Sequence, residues 1–385
     1  MTVDNFSRRH FLKAGGIGLL GAFVSRAHAW SNQSRVMYVG TYTSGKSEGI
    51  YGYHFNSESG KLTRFTSIGS INPSFLAIDR TKRYLYTVNE VGQYAGKPGG
   101  AVSAYAIERG TGNLRLLNEQ PTQSADPCYL SIDNKKRALF VANYTGGSVS
   151  VMQLRSDGTV GSLMDFEQHK GSGPKEQQKG PHAHCIILDR RERHAFAADL
   201  GIDKVMIYKF DHTYSTLTPA EQPFAELQAG AGPRHLTLHP NGKFLYVINE
   251  LDSSMTAFRY NEVNGTLTHI DTMSTLPSDF SGVSYCADVH LSTSGKFLYG
   301  SNRGHNSIVV FEIDSRTGKL KLVEHVSTQG NWPRNFTLDP SGRFLLVANQ
   351  RSDNVVTFSI DARTGRLSPA DYIEEIPSPV CLKFL

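Results

Sequence analysis

Four side chains raise the chemical question in this sequence: His184, Arg234, Glu250 and Arg303, with Arg334 and Glu90 as further charged residues in comparable settings. Histidine exchanges a proton near neutral pH, a guanidinium offers a rigid fork of donors to an oxygen carrying negative charge, and a carboxylate can hold such a fork in place. Two of the four share one stretch, AGAGPRHLTLHPNGKFLYVINELD from Ala229 to Asp252, which reads as two apolar strands joined by a PNG turn. Arg234 and Glu250 stand at its two open ends, where Ser or Thr would complete a strand pair equally well. No G-x-S-x-G occurs, so the sequence carries no nucleophile-elbow serine. Cys128, Cys185, Cys286 and Cys381 are far apart and match no C-x-x-C or Cys/His metal spacing, so no metal site is expected.

The elements that must position these residues come from an internal repeat. One pattern recurs seven times: RVMYVGTY from Arg35, RYLYTVNE from Arg83, RALFVANY from Arg137, RHAFAADL from Arg193, KFLYVINE from Lys243, KFLYGSNR from Lys296 and RFLLVANQ from Arg343. The last six copies are each preceded by another strand and a turn, as in PRHLTLHPNG and PRNFTLDPSG. Each copy is followed by a third strand, such as IVVFEID, and a D/N-x-x-x-G-x-L turn into a fourth, as in DSRTGKL. Four antiparallel strands in about fifty residues make a β-propeller blade. The first copy lacks its inner strand, and the chain ends on SPVCLKFL, an inner strand with nothing after it. The expected fold is therefore an all-β, seven-bladed propeller closed by pairing the C-terminal strand with the N-terminal blade, which removes an exposed edge.

The repeat also places the charged residues. In a propeller the start of the inner strand and the end of the next lie on one face. Aligned on the Lys/Arg that opens the second strand, the inner positions read Ser74, Cys128, His184, Arg234, Ala287, Arg334 and Val380, and the outer ones Tyr42, Glu90, Tyr144, Leu200, Glu250, Arg303 and Gln350. Purely packing positions would interchange between copies, whereas these depart from one another with charge. The expectation is a mixed-charge cup at one mouth of the central channel, rimmed by the long segments HKGSGPKEQQKGPHAH and LPSDFSGVSYCADVH. His182 and His235 neighbour it, and His194 belongs to the opposite end.

Composition sets bounds without naming a chemistry. The chain has 385 residues, 39% hydrophobic and 19% charged, with 17 Tyr and 20 Phe, which suits an aromatic-rich globular β protein. Residues 1–29 look like an export leader: SRRHFLK resembles a twin-arginine signal, an apolar run too short to span a bilayer follows, and AHA precedes Trp30. Cleavage after Ala29 would leave residues 30–385 as one propeller in the periplasm, with the twin-arginine translocase as partner during export and no membrane attachment afterwards. The leader holds four of the 40 Lys and Arg and one of the 35 Asp and Glu, leaving 36 against 34, which carries no nucleic-acid footprint. Export after folding in a reducing cytosol predicts free, buried thiols.

YVGTYTSGKSEGIYGYHFNSESGKL, GPHAHCI, GPRHLTLHPNGKFLYVINELDS, SNRGHNSI, WPRNFTLDPSGRFLLVANQRSDNVVTF and the PSPVCLKF terminus closely resemble the seven-bladed lactonase family, which includes propeller-type 6-phosphogluconolactonases, periplasmic gluconolactonases and carboxymuconate cyclases. The resemblance spans essentially residues 30–385. It implies a metal- and cofactor-independent lactone hydrolase whose catalytic quartet falls on His184, Arg234, Glu250 and Arg303. On that implication His184 is the base, Arg234 and Arg303 stabilise the carbonyl oxygen, and Glu250 orients an arginine or serves the leaving oxygen. Arg334, Glu90, His182 and His235 are then expected to bind the sugar. Export favours glucono-1,5-lactone, with 6-phosphogluconolactone as the alternative. Two other readings compete. A metal-dependent gluconolactonase would need an axial Asp/Glu/Asn cluster where this ring is Arg-rich, and a non-catalytic propeller would bind a ligand or partner.

Overall fold

The computed structural model describes residues 34–135 and 137–385; the leader expected at 1–29 lies outside them. Seven four-stranded antiparallel sheets follow one another around a ring. The fifth is typical: Pro233–Leu238 innermost, then Phe244–Asn249, Ser254–Asn261 and Thr266–Ser274. Each inner strand touches the inner strands on either side of it, from Leu76–Ile78 round to Pro379–Phe384. The last of these pairs with Ser34–Thr41 in the register Met37↔Phe384, Val39↔Leu382, so the chain's two ends share one blade. Among the described residues no helix is long and apolar enough to cross a membrane.

Alternation within the strands explains the packing. Second and third strands are apolar on both faces because each blade is covered on both sides, and the core divides into clusters between neighbouring blades, such as Phe196, Val205, Leu236, Leu245 and Phe258. The D/N-x-x-x-G turns form as their chemistry requires. Asp314 Oδ1 accepts from the amides of Arg316 and Thr317 at 2.9 and 3.0 Å, and Gly318 adopts φ +79°. The same turns latch blades together: Tyr246 of the fifth donates to the Gly318 carbonyl of the sixth at 3.1 Å, and Tyr299 of the sixth to Gly365 of the seventh at 3.0 Å. A Cβ on Gly318 would stand 2.5 Å from the Phe244 ring, so glycine serves the approach as well as the turn. All four cysteines are free and buried, each on an inner strand.

Candidate active site

The cup is built by β-bulges. In the fifth blade Pro233 pairs with Asn249 and His235 with Ile248, leaving Arg234 as the extra residue. The same irregularity isolates Cys128, His184, Arg334 and Val380 in their blades. A bulge bends the strand and re-aims the extra side chain, and here all five line one cavity, with Ser74 in the place where the second blade's ladder has not yet begun. Glu90, Phe75, His235 and Asn335 complete its wall. The sixth blade departs: its bulge holds two residues, Ala287 and Asp288, and Ala287 contributes only its carbonyl.

Charges around this cavity are paired in two groups. Glu250 Oε2 lies 2.9 Å from Arg234 Nε and 2.7 Å from Arg303 Nη2. The first contact is an ion pair without hydrogen-bond alignment, since the Arg234 Nε–H has no bonded acceptor. Arg234 is further held by Nη1, which donates to the Ala287 carbonyl at 2.6 Å and lies 3.3 Å from His235 Nε2. Arg303 donates to the Cys286 carbonyl at 2.7 Å and lies over the Trp332 ring. In the second group Arg334 donates to Tyr42 Oη at 2.6 Å, Tyr42 donates to Glu90 at 2.8 Å, and Ser74 donates to the other Glu90 oxygen.

Electrostatics follow from burial. It would raise the Glu250 carboxyl, but Arg303, Arg234 and Arg334 together outweigh it and hold the group below the usual carboxylate range. Burial, reinforced by Arg303 and Arg334, lowers Arg234 to about 10, so it stays charged at neutral pH. His184 is 4% exposed, its Nδ1 3.6 Å from Cys128 Sγ, its ring edge-on to Tyr144 and to His235. Burial, then Arg234 and His235, push its pKa well below the ordinary histidine value, so the neutrality expected from an unperturbed imidazole is replaced by a ring deprotonated throughout the physiological range. The Cys128 thiol is driven well up by burial and then by Glu90, which leaves it a protonated wall rather than a nucleophile.

Of the expected site residues, His184, Arg234, Arg334, Glu90 and His235 line the cavity; Glu250 and Arg303 adjoin it through Arg234. His182 stands apart, stacked on Tyr144 with its Nδ1 2.9 Å from the Tyr144 carbonyl. His235 is buried, and both ring nitrogens are engaged: Nδ1 with Asp288 at 2.8 Å, Nε2 beside Arg234. Asp288 also meets His290 Nε2 at 2.9 Å and accepts from Asn335 Nδ2 at 2.5 Å. Sequence reasoning passed over Asp288, Asn335, Tyr42 and Trp332. One signal was there: a single residue beyond the aligned inner position the copies read Phe75, Tyr129, Cys185, His235, Asp288, Asn335 and Cys381, where one carboxylate stands out.

The rim is pinned to the same mouth. Lys175 Nζ donates to the Leu251 carbonyl at 2.6 Å, Gln178 to the Leu200 carbonyl at 2.8 Å, and Ser284 Oγ to the Arg303 carbonyl at 3.0 Å. Residues 36–384 match the family described as Lactonase, 7-bladed beta-propeller. The chain belongs to that lactonase family. This lactonase is 38% identical over 350 residues to the 6-phosphogluconolactonase of Bacillus subtilis, covering 90% of this chain and 97% of that protein. It is 36% identical over 317 residues to a 6-phosphogluconolactonase of Formosa agariphila, covering 79% and 86%. Among solved structures, the periplasmic gluconolactonase of Pseudomonas aeruginosa superposes with a TM-score of 0.87 at 34% identity, covering 91% of the lactonase and 99% of that chain. The lactonase is thus an enzyme that hydrolyses lactones.

Proposed function

We propose that this lactonase hydrolyses an unphosphorylated aldono-1,5-lactone, glucono-1,5-lactone first, in the periplasm and without a metal ion. The observation that carries the reading is that a neutral, buried His184 and a charged Arg234 line the same small cavity. His184 takes a proton from the attacking water, which adds to the lactone carbonyl. Arg234 stabilises the oxygen that becomes negative, and Arg334 takes the part expected of Arg303 because it lines the cavity and Arg303 does not; the donors of Arg234 and Arg334 are fixed before the reaction by protein acceptors. The C–O ring bond then breaks, the departing alkoxide regains a proton from the imidazolium or water, and the product acid ionises. Glu250 serves to orient Arg234 and Arg303: as a carboxylate kept ionised by two guanidiniums it is a poor proton donor.

Substrate choice is supported by charge pairing. Arg303 and Arg234 share Glu250, Arg334 is linked through Tyr42 to Glu90, and ionised Asp288 is held by neutral His235 and Asn335, so three guanidiniums meet three carboxylates and no net positive charge is left over. That suits a neutral lactone with a transient oxyanion. A phosphate ester would bring up to two further negative charges. The likeness to the 6-phosphogluconolactonase of Bacillus subtilis favours 6-phosphogluconolactone as the second reading. The leader-like residues 1–29 and the likeness to a periplasmic gluconolactonase support export. Metal independence is supported by donor chemistry: the carboxylates at this mouth are taken up by arginines and Tyr42, and the guanidiniums repel a cation.

The test is a pH-stat assay of residues 30–385 on glucono-1,5-lactone, 6-phosphogluconolactone and galactono-1,4-lactone, with and without chelator. The expected result is highest kcat/KM on glucono-1,5-lactone, unchanged by chelation. Preference for the phosphorylated lactone, or loss of rate on chelation, overturns the assignment.

A further inference from the structure

At the face opposite the lactone cavity, each blade but the first turns from its inner strand into its second strand through a capped turn, and four blades use Asp as the cap: Asp79, Asp133, Asp189 and Asp339. In every case Oδ1 accepts from the amide four residues on, for example Arg137 to Asp133 at 2.7 Å and Arg343 to Asp339 at 2.8 Å. The second oxygen is satisfied by a hydroxyl in three of them: Thr81 for Asp79, Tyr260 at 2.7 Å for Asp189, and Ser341 at 2.5 Å for Asp339. Asp133 is the exception. It is 1% exposed, and among the described residues its Oδ2 has no hydrogen-bond partner. The reason is a single missing oxygen: the position that offers Tyr260 to Asp189 is Phe210 in the neighbouring blade, seventeen residues after Arg193 as Tyr260 is after Lys243.

Two other groups converge on the orphaned oxygen. Glu192 occupies the turn position that is Gly242, Gly295 and Gly342 in three other blades, and it holds left-handed φ +56° while 5% exposed, a conformation and burial that both disfavour glutamate. Its Oε1 accepts from the Asn134 amide at 2.5 Å, across the boundary between the third and fourth blades. His212 follows the strand Lys204–Asp211, its ring edge-on to Phe210, and its buried Nδ1 has no hydrogen-bond partner among the described residues. One donor atom from each of Asp133, Glu192 and His212 lies within 4.8 Å of the others.

We propose that Asp133, Glu192 and His212 form a Zn²⁺-class metal site that staples the third blade to the fourth, remote from the reaction. Two carboxylates and one imidazole are the donor set of a first-row divalent ion, and a cation resolves at once the unpaired Oδ2, the unpaired Nδ1 and the approach of two buried carboxyls. The donors need to draw together by on the order of 1 Å to reach tetrahedral bond lengths of about 2 Å, and the vacant positions fall to water. Metal binding here contributes to folding stability and leaves the catalytic steps untouched.

The experiment is titration of chelator-stripped, tag-free residues 30–385 with Zn²⁺, followed by calorimetry and thermal unfolding, with Mg²⁺ as the hard-cation control. One Zn²⁺ per chain is expected, with a midpoint several degrees higher and no response to Mg²⁺. Asp133→Asn, which keeps the Oδ1 cap, and His212→Gln should each weaken binding by more than about tenfold while the rate on lactone stays at the parent value. Metal-free Asp133→Asn should be at least as stable as the parent, because an amide can donate to Glu192. Glu192→Gln is the third variant should either of the first two fold poorly. No stoichiometric Zn²⁺ binding, equal binding by the variants, or loss of stability in metal-free Asp133→Asn each overturns the site.

Discussion

Arg234 and Glu250 are sixteen residues apart in sequence and 2.9 Å apart in space, at the same end of one hairpin. Their closeness is built by the antiparallel pair Pro233↔Asn249, and the bulge after Pro233 turns the arginine into the channel while its carboxylate stays at the rim. Arg234 is buried, Glu250 is partly buried with its side chain 17% exposed, and each charge depends on the other.

Removing the shared carboxylate therefore exposes the cost of both guanidiniums. Glu250→Gln is expected to lower stability by about 3 kcal/mol, as breaking a buried pair does, and to reduce kcat/KM through disorder of Arg234. Thermal unfolding and lactone hydrolysis measured on the same preparation check this. An unchanged melting midpoint would show that the pair is solvated.

Lysine cannot replace Arg234. Three of its contacts, to Ala287, Glu250 and the His235 ring, use nitrogens of a planar fork. Arg234→Lys should lose on the order of 100-fold in kcat, the usual loss for an oxyanion donor, with KM changed far less. Recovery of most activity in the lysine variant would mean that charge alone is needed.

The acid limb of the pH–rate profile belongs to His184. Its pKa is held well below 6.5 by burial and by Arg234, so the active, neutral form persists as pH falls and the rate declines only at markedly acid pH. An acid limb centred near 6.5 would contradict that environment. Stability follows a related rule through His235, whose folded pKa is about 4 against 6.5 in the unfolded chain. Between those values the unfolded state binds the extra proton, so stability is complete above about 6.5 and is lost as pH falls towards 4. Chemical denaturation at several pH values should show this slope, to which His184 adds in the same direction, and His235→Asn should reduce it.

Asp288 is expected to act on the reaction through His235, to which it is bonded. By accepting from Nδ1–H it leaves Nε2 unprotonated toward Arg234, so Asp288→Asn is expected to release the ring and lower kcat by 10–100-fold, on the order produced by small misplacement of a catalytic group. The discriminating readouts are KM, expected to hold, and the pH–stability slope assigned to His235, expected to change with it. A loss of folding alone, with normal kcat in the surviving protein, would make Asp288 structural.

Much of this protein was legible in its residues. Seven copies of an apolar strand opened by Arg or Lys, turns of D/N-x-x-x-G, and an unpaired last strand determine the propeller and its closure, because strand alternation and turn chemistry are local properties of sequence. The repeat also acts as its own control, so aligning copies singles out His184, Arg234, Arg334, Glu90, Glu250 and Arg303 as departures. Only the tertiary structure decided how those departures meet. The bulges that aim Arg234 and His184 inward are backbone irregularities without a residue signature, the sharing of Glu250 between Arg234 and Arg303 joins two blades, and the depressed basicity of His184 depends on burial among charges distant in the chain. Asp133 makes the same point on the other face: its capping role is visible in the repeat, but its missing partner appears only when Phe210 of the next blade stands where a tyrosine would have been.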